Sequence, residues 1–444
     1  MAENSIVIIG GGLAGSEAAW QIANAGGTVE LHEMRPTRMT GAHTTGYFSE
    51  LVCSNSLGSE TENSASRILK DEMERMGSFV LKTAREHRVP AGASLAVDRG
   101  LFAQAVTAEL SQNPRIRIHR QEITALPEGG ITILATGPLT TQPLCEAIGK
   151  RVGEQSLYFY DAISPIVSAE SLDRDQMFVA NRYGKGESAD FLNIPLTETQ
   201  YDHFVDELLR GECMLPHDFE EEKYFEGCMP IEAIASRGRR TLAFGPMKPV
   251  GLIDPKTGRR AFATIQLRAE NRYFSAYNLV GFQTKLKYSD QQRIFRQLPG
   301  LGEAEFLRLG SMHRNTYLDS PRVLRPTLQL RNDGGFFIAG QLTGTEGYLE
   351  SAATGLVAGM NALRLSLGKQ TLALPTETIL GSLLATITDE KRDRFQPMNV
   401  NMGLLPPVRS EKKKIDRQTR NLLMAQAARQ VHTGWMHSIG FSGS

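Results

Sequence analysis

An α/β fold of the doubly wound type is what three stretches of this chain predict. The first is an apolar strand, Ser5-Ile6-Val7-Ile8-Ile9, that runs directly into Gly10-Gly11-Gly12-Leu13-Ala14-Gly15 and then into Ser16-Glu17-Ala18-Ala19-Trp20. The others are short apolar runs that also close on glycine turns, Ile131-Thr132-Ile133-Leu134-Ala135-Thr136-Gly137 and Gly335-Phe336-Phe337-Ile338-Ala339-Gly340-Gln341. Continuous apolar runs of this length suit strands buried on both faces, and such strands alternating with helical stretches give a parallel sheet.

In chain order, the glycine loop comes first. Gly10 permits the tight turn, Gly12 lets the backbone approach a pyrophosphate, and Gly15 lets the following helix pack closely on the strand. The amides of Gly11, Leu13 and Ala14 at the helix start then point at the phosphates. A second apolar strand, Thr28-Val29-Glu30-Leu31-His32, leads to Glu33, a carboxylate placed to accept from a ribose hydroxyl. Val97-Asp98-Arg99 reads as a strand end, and Leu101, Phe102, Ala105, Val106 and Leu110 as the apolar face of a helix behind the sheet. Thr136 and Gly137 close the next strand, and Gly340 and Gln341 the last. Thr345–Gly355 then reads as a loop feeding a small-residue helix that starts near Tyr348, whose free amides could stabilise a negative charge. Together these segments resemble the two-dinucleotide-binding-domain flavoproteins, in which an Ala-Thr-Gly strand closes the nucleotide half and a late Ala-Gly strand returns the chain to the flavin. That resemblance implies FAD rather than NAD at this loop.

At 444 residues the chain has room for two or three cores, and 41% hydrophobic with 22% charged residues is the composition of a folded globular protein. No apolar run is long enough to span a bilayer, and the first strand begins too early for a signal peptide, so a cytoplasmic protein with no membrane partner is expected. The four cysteines, Cys53, Cys145, Cys213 and Cys228, form no Cys-x-x-Cys pair, which argues against a zinc site or a disulfide framework. The formal net charge is zero, but Arg237, Arg239, Arg240, Lys248, Lys256, Arg259, Arg260, Arg268 and Arg272 are opposed only by Asp254 and Glu270. A second basic run, Arg409, Lys412, Lys413, Lys414, Arg417, Arg420 and Arg429, lies on a helical-looking tail. Either could neutralise nucleic-acid phosphates.

From about Asp190 the texture shifts to acidic stretches and Gly/Pro/Arg turns with short β-prone runs such as Arg240-Thr241-Leu242-Ala243-Phe244 and Asn278-Leu279-Val280-Gly281-Phe282. An α+β domain inserted into a Rossmann-like FAD domain follows, with the FAD domain at residues 1–188 and 310–444 and the insertion at 189–309.

Cys53, in Val52-Cys53-Ser54-Asn55-Ser56, and Cys228, in Glu226-Gly227-Cys228-Met229-Pro230-Ile231-Glu232, sit in turn-prone stretches where a thiol can be exposed. Cys145 reads as a small buried core residue, and Cys213 has no activating neighbour in sequence. These two cysteine segments, the glycine loop and Gly340-Gln341-Leu342-Thr343-Gly344-Thr345-Glu346-Gly347-Tyr348 together resemble the folate- and FAD-dependent tRNA uracil-5-methyltransferase family over nearly the whole chain. The glycine loop and late strand are shared with a larger flavoprotein that modifies tRNA wobble uridine, whose C-terminal helical domain this chain is expected to lack.

The resemblance implies methylation of uracil C5 at the T-loop uridine, position 54, of tRNA. Methylenetetrahydrofolate would donate the carbon, reduced FAD the electrons, and NADPH or NADH the reducing equivalents. Uracil C5 is a poor nucleophile until a thiolate adds at C6, so Cys53 and Cys228 are the catalytic candidates, and which attacks the base stays open. Glu226, Glu232 and Glu346 are candidates to move a proton. His313 is the expected ring against the pterin, and Arg314 the expected partner of the folate glutamate tail. Arg237, Arg239, Arg240, Arg259 and Arg260 are the expected contacts to tRNA. A small-molecule FAD oxidoreductase, a wobble-uridine enzyme and a noncatalytic RNA-binding flavoprotein are the competing readings; a monomer and a homodimer both stay open.

Overall fold

Five strands with apolar residues on both faces form one parallel sheet, in the order Phe336–Ile338, Thr132–Leu134, Ile6–Ile9, Val29–His32, Ile116–His119. The structure, a computed structural model, describes residues 5–153, 157–185, 190–214, 229–392, 395–407 and 416–440, and of residues 157–161, 313 and 314 the backbone alone. Ile8 lies between Leu31 and Ile133, and all three are fully buried. Because the chain passes from the central strand first to one side and later to the other, a crevice opens at the carboxyl end of Ile6–Ile9.

Helix Leu13–Asn24 leaves that crevice and packs along helix Tyr348–Ser366. Their backbones touch. A Cβ added at Gly355 would lie 2.2 Å from the Ala14 carbonyl oxygen, so only glycine fits there. Two buried glutamates tie further helices to this layer. Glu17 accepts from the amides of Phe79 and Val80 at 3.0 and 2.8 Å, and Glu72 from those of Ile379 and Leu380 at 2.9 and 3.0 Å. Each thereby satisfies orphan donors at the start of a helix that has no acidic residue of its own there.

The second sheet is antiparallel, in the order Phe178–Val179, Phe191–Leu196, Ala263–Ala269, Ala276–Leu279, Ile166–Ser168, Phe306–Arg308. Helices Glu198–Arg210 and Tyr288–Phe295 contribute to its core, where Phe204, Phe282 and Phe295 are in mutual ring contact. The expected division at 188/189 lies outside the described residues. Strands Ile166–Ser168 and Phe178–Val179, before it in the chain, belong to this sheet with Phe191–Leu196 after it, and the two-stranded ribbon of Leu157–Ala162 and Met312–Tyr317 brackets the sheet in the chain. The β-prone run Arg240–Phe244 is instead a single helical turn, Thr241–Phe244, bounded by Gly238 and Gly245 and anchored by fully buried Leu242. Its β-branched and aromatic residues favour a strand, but among the described residues no strand pairs with it.

Of the basic tail, Arg409 and Lys412–Lys414 lie outside the described residues. Helix Arg417–Ser438 begins on the Asp416 cap and packs on helix Ala65–Arg75, with Arg429 paired to Asp71 at 2.8 Å. His432 is fully buried in that contact, and among the described residues neither ring nitrogen has a hydrogen-bond partner. Burial, with help from Arg75, pushes its pKa down to about 4. The folded chain therefore refuses a proton that the unfolded chain accepts once the pH falls below about 6.5. The stability contributed is complete above that pH and is lost between pH 6.5 and 4, to the extent of about 3 kcal/mol. Thermal midpoints measured from pH 7 to 4.5 are expected to fall more steeply in the wild-type protein than in His432→Leu; parallel curves would refute this.

Candidate functional site

The crevice at the carboxyl edge of the parallel sheet is a groove in two connected parts. One, of about 400 Å³, runs from Ile9 and His32 to Gln121 and Ile123; the other, of about 790 Å³, runs from Gly12 and Arg35 to Gly340, Gln341, Tyr348 and Ser351. Gly10, Glu33, Thr136 and Leu139 line both. An elongated cleft across a topological switch point suits a dinucleotide.

The glycine loop has the local form such a ligand needs. Gly10 has φ +106°, and a Cβ on Gly15 would fall 1.8 Å from the Gly10 carbonyl oxygen, which is how closely helix and strand meet. A Cβ on Gly12 would meet nothing within 4 Å, so the space over this residue is open for a phosphate. Gly12 caps the helix without a side-chain hydrogen bond, leaving the first-turn amides to a ligand. Glu33 is 6% exposed and accepts from the Gly11 amide at 2.8 Å and from the amide and Nε of Arg35, both at 3.0 Å. Burial works against its ionisation, but Arg35 and the Gly11 amide outweigh it and hold the carboxyl below the usual range. Glu33 thus orders the loop as well as lining the groove. Arg35, which sequence reasoning missed, continues to Glu50 at 3.2 Å, and Glu50 in turn accepts from Thr44 and Thr45.

At the far end of the groove, the loop carrying Cys53 meets the start of helix Tyr348–Ser366. The Tyr348 hydroxyl accepts from the amides of Cys53 and Ser54 at 2.8 and 3.3 Å and lies 3.0 Å from the Cys53 sulfur. With its lone pairs taken by two amides, the hydroxyl has its own proton to donate to sulfur. Burial, then the neighbouring Cys53, drives the Tyr348 pKa well above the ordinary phenol value, so it stays a donor. Residues 53 and 348 are far apart in the chain, and only the fold joins them.

Other expected site residues divide. Thr136 shares a 2.6 Å hydrogen bond with Thr140 on the groove wall, and Gly340 donates to Thr354 at 2.7 Å. His313 and Arg314 lie on strand Met312–Tyr317 opposite Asp161 and Tyr160, and their side chains are outside the described residues. Cys228 and Glu226 are likewise outside them. Glu232, within helix Ile231–Ala235, is buried and accepts from Thr284. Glu346 is buried and accepts from Gln341. Cys145, expected in the core, is only partly buried on helix Gln142–Val152, because that helix buries Leu144 and Ile148 instead.

The basic segment is less uniform than its composition. Arg239 pairs with Asp202 at 3.1 Å and Asp206 at 2.7 Å, and Arg240 pairs with Glu198 at 2.6 Å while covering the Phe262 ring. These two are engaged by the carboxylates of helix Glu198–Arg210 while about half of each side chain stays exposed. Arg237, Arg259 and Arg260 are exposed and make no ion pair among the described residues. Arg268 points inward and is 9% exposed. Among the described residues no group of His, Cys, Asp and Glu is arranged to hold a metal, and no helix is long and apolar enough to cross a membrane.

Residues 5–370 match the model of the family described as Glucose inhibited division protein A. The chain is 52% identical over 441 residues to the methylenetetrahydrofolate–tRNA-(uracil-5-)-methyltransferase TrmFO of Moorella thermoacetica, covering 99% of this chain and 100% of that protein. It is 55% identical over 404 residues to the protein of the same name from Heliobacterium modesticaldum, covering 91% and 92%. Among solved structures, GidA of Aquifex aeolicus superimposes with a TM-score of 0.68 at 18% identity, covering 96% of this chain and 73% of that one. At that identity the likeness concerns the fold, which is the Rossmann-like FAD-binding fold.

Proposed function

The chain belongs to the Glucose inhibited division protein A family and, within it, to the methylenetetrahydrofolate–tRNA-(uracil-5-)-methyltransferases TrmFO, and from that premise we propose that it methylates uridine 54 in the T-loop of tRNA with a reduced nicotinamide as electron source. Its activity is folate-dependent methylation of tRNA uracil at C5, on a bound FAD. Relatives that are about half identical over nearly the full chain carry this activity in their names, so neither wobble-uridine modification nor small-molecule oxidation is favoured. The observation that carries the chemistry is the Cys53 sulfur beside the Tyr348 hydroxyl at one end of the dinucleotide groove.

The residues present fit FAD. The open space over Gly12 and the first-turn amides of helix Leu13–Asn24 would hold the pyrophosphate, Glu33 the adenosine ribose, and Gly340, Gln341 and Tyr348 would border the ring system. When bound and reduced, FAD supplies the two electrons that take the folate carbon from the methylene to the methyl level. The protein's own part is sulfur and proton chemistry. A thiolate, from Cys53 or Cys228, forms a bond to uracil C6 and moves the C5–C6 electron pair toward O4, so that C5 gains carbanion character. After the carbon is attached, the C5 proton leaves to a base, and the S–C6 bond breaks to restore the double bond and the thiolate. The other cysteine is the candidate for that proton step. Arg237, Arg259 and Arg260 are the exposed cations of the inserted domain we assign to the T-arm phosphates.

The test is incubation of unmodified tRNA with isotopically labelled methylenetetrahydrofolate, NADPH and the FAD-loaded protein, followed by nucleoside mass analysis. Label is expected in ribothymidine, and a transcript with cytidine at position 54 should acquire none. Label in another nucleoside, or label that persists in the position-54 variant, would overturn the proposed site.

A further inference from the structure

The Cys53 loop rests on three guanidinium groups brought together from distant parts of the chain. Arg99, from helix Arg99–Gln112, donates to the carbonyls of Leu51 and Val52 at 2.9 and 3.2 Å. Arg308, from strand Phe306–Arg308, donates to the Val52 carbonyl, and Arg268, from strand Ala263–Ala269, donates to the Ser54 hydroxyl at 2.8 Å. One carboxylate answers them: Glu270, buried, bonded to Arg99 at 3.0 Å and to Asn278 at 2.7 Å. Arg268 keeps a buried Nε with no hydrogen-bond partner among the described residues. Glu50, three residues before Cys53, is committed to Arg35, Thr44 and Thr45.

Among the described residues, three buried or half-buried cations against one carboxylate leave two positive charges unmatched, an arrangement that costs stability unless another anion stands nearby. Besides Glu270, the acids that sense these guanidiniums are Cys53 and Tyr348, and both interact electrostatically with Arg99, Arg268 and Arg308. Tyr348 stays protonated for the reasons given above, and its hydroxyl donates toward sulfur. Cys53 is the group left to carry the negative charge.

We propose that Arg268, together with Arg99 and Arg308, is a positioning residue that holds Cys53 as a thiolate by placing unmatched positive charge beneath its loop. The thiol proton passes to solvent, and the Tyr348 hydroxyl supplies the hydrogen bond that the sulfur anion accepts. This deepens the reading of Cys53 as a reacting thiol, on which it rests. It also explains why Arg268, counted by composition with the surface cations, is turned inward.

The proposal is tested by the pH dependence of Cys53 alkylation with iodoacetamide in the FAD-loaded protein, followed by mass analysis of the Cys53 peptide. An ordinary cysteine titrates near pH 8.5, and the wild-type midpoint is expected at least one unit lower. Arg268→Met is expected to move the midpoint up, lowering the alkylation rate at pH 7 by about tenfold, while Arg268→Lys keeps most of the shift. FAD content and thermal midpoint serve as controls on folding. If Arg268→Met does not fold, the wild-type midpoint and that of Arg308→Met decide. A wild-type midpoint at or above 8.5, or identical profiles in the folded variants, overturns the proposal. Because the measurement uses neither tRNA nor folate, it stands whether or not the labelling experiment places the methyl group at position 54.

Discussion

Cys53→Ser is expected to lower ribothymidine formation by roughly 10³-fold or more, the scale of losing a reacting group, while FAD content and thermal midpoint stay close to wild type. The oxygen of serine can still pair with Tyr348, whose hydroxyl keeps both backbone amide donors, so the loop geometry survives. What is lost is sulfur. An alcohol is almost wholly protonated at neutral pH and is a poor nucleophile and poor proton acceptor, whichever of the two roles Cys53 has. The comparison with Tyr348→Phe separates those effects, since phenylalanine removes the donor and leaves the thiol. The measurement is single-turnover methylation of tRNA by the FAD-loaded proteins. Activity of Cys53→Ser within tenfold of wild type would remove Cys53 from the chemistry.

The second large effect divides two neighbouring glycines. Gly15→Ala places a Cβ 1.8 Å from a backbone oxygen that cannot move without separating helix from strand, so a loss of about 3 kcal/mol or more is expected, together with loss of FAD. Gly12→Ala meets nothing within 4 Å, and its backbone, at φ −73° and ψ −169°, suits any residue. The fold should therefore change by about 1 kcal/mol or less. The methyl group instead occupies the space left for phosphate, and loss of one or two charge-assisted hydrogen bonds weakens FAD by roughly 100-fold. Thermal unfolding of the FAD-free proteins and fluorescence titration with FAD distinguish the two outcomes. Equal effects of both substitutions on both measurements would show that the loop does not work in this way.

The legible parts of this molecule were those in which function is written into consecutive residues. A strand, a glycine turn and a helix in immediate succession specify the crevice, because the need for no Cβ at Gly15 is a property of the chain's own path. Cys53 was visible as a thiol in a loop for the same local reason. Segment 240–244 misled because its residues suit a strand, and pairing partners alone decide whether one forms. Composition also overstated the basic surface, since Asp202, Asp206 and Glu198, which engage Arg239 and Arg240, lie some forty residues away.

The sequence by itself determined the α/β class, the dinucleotide loop and the identities of the candidate thiols, since each depends on neighbours within about twenty residues. Tertiary structure alone decided that Tyr348 meets Cys53, that Arg35 binds Glu33 and Glu50 together, and that Arg99, Arg268 and Arg308 converge beneath one loop. Apart from the Arg35 contacts, which lie within one long connection, these contacts join residues from separate elements, and the electrostatic field at a sulfur atom is the sum of charges that become neighbours only when the chain has folded.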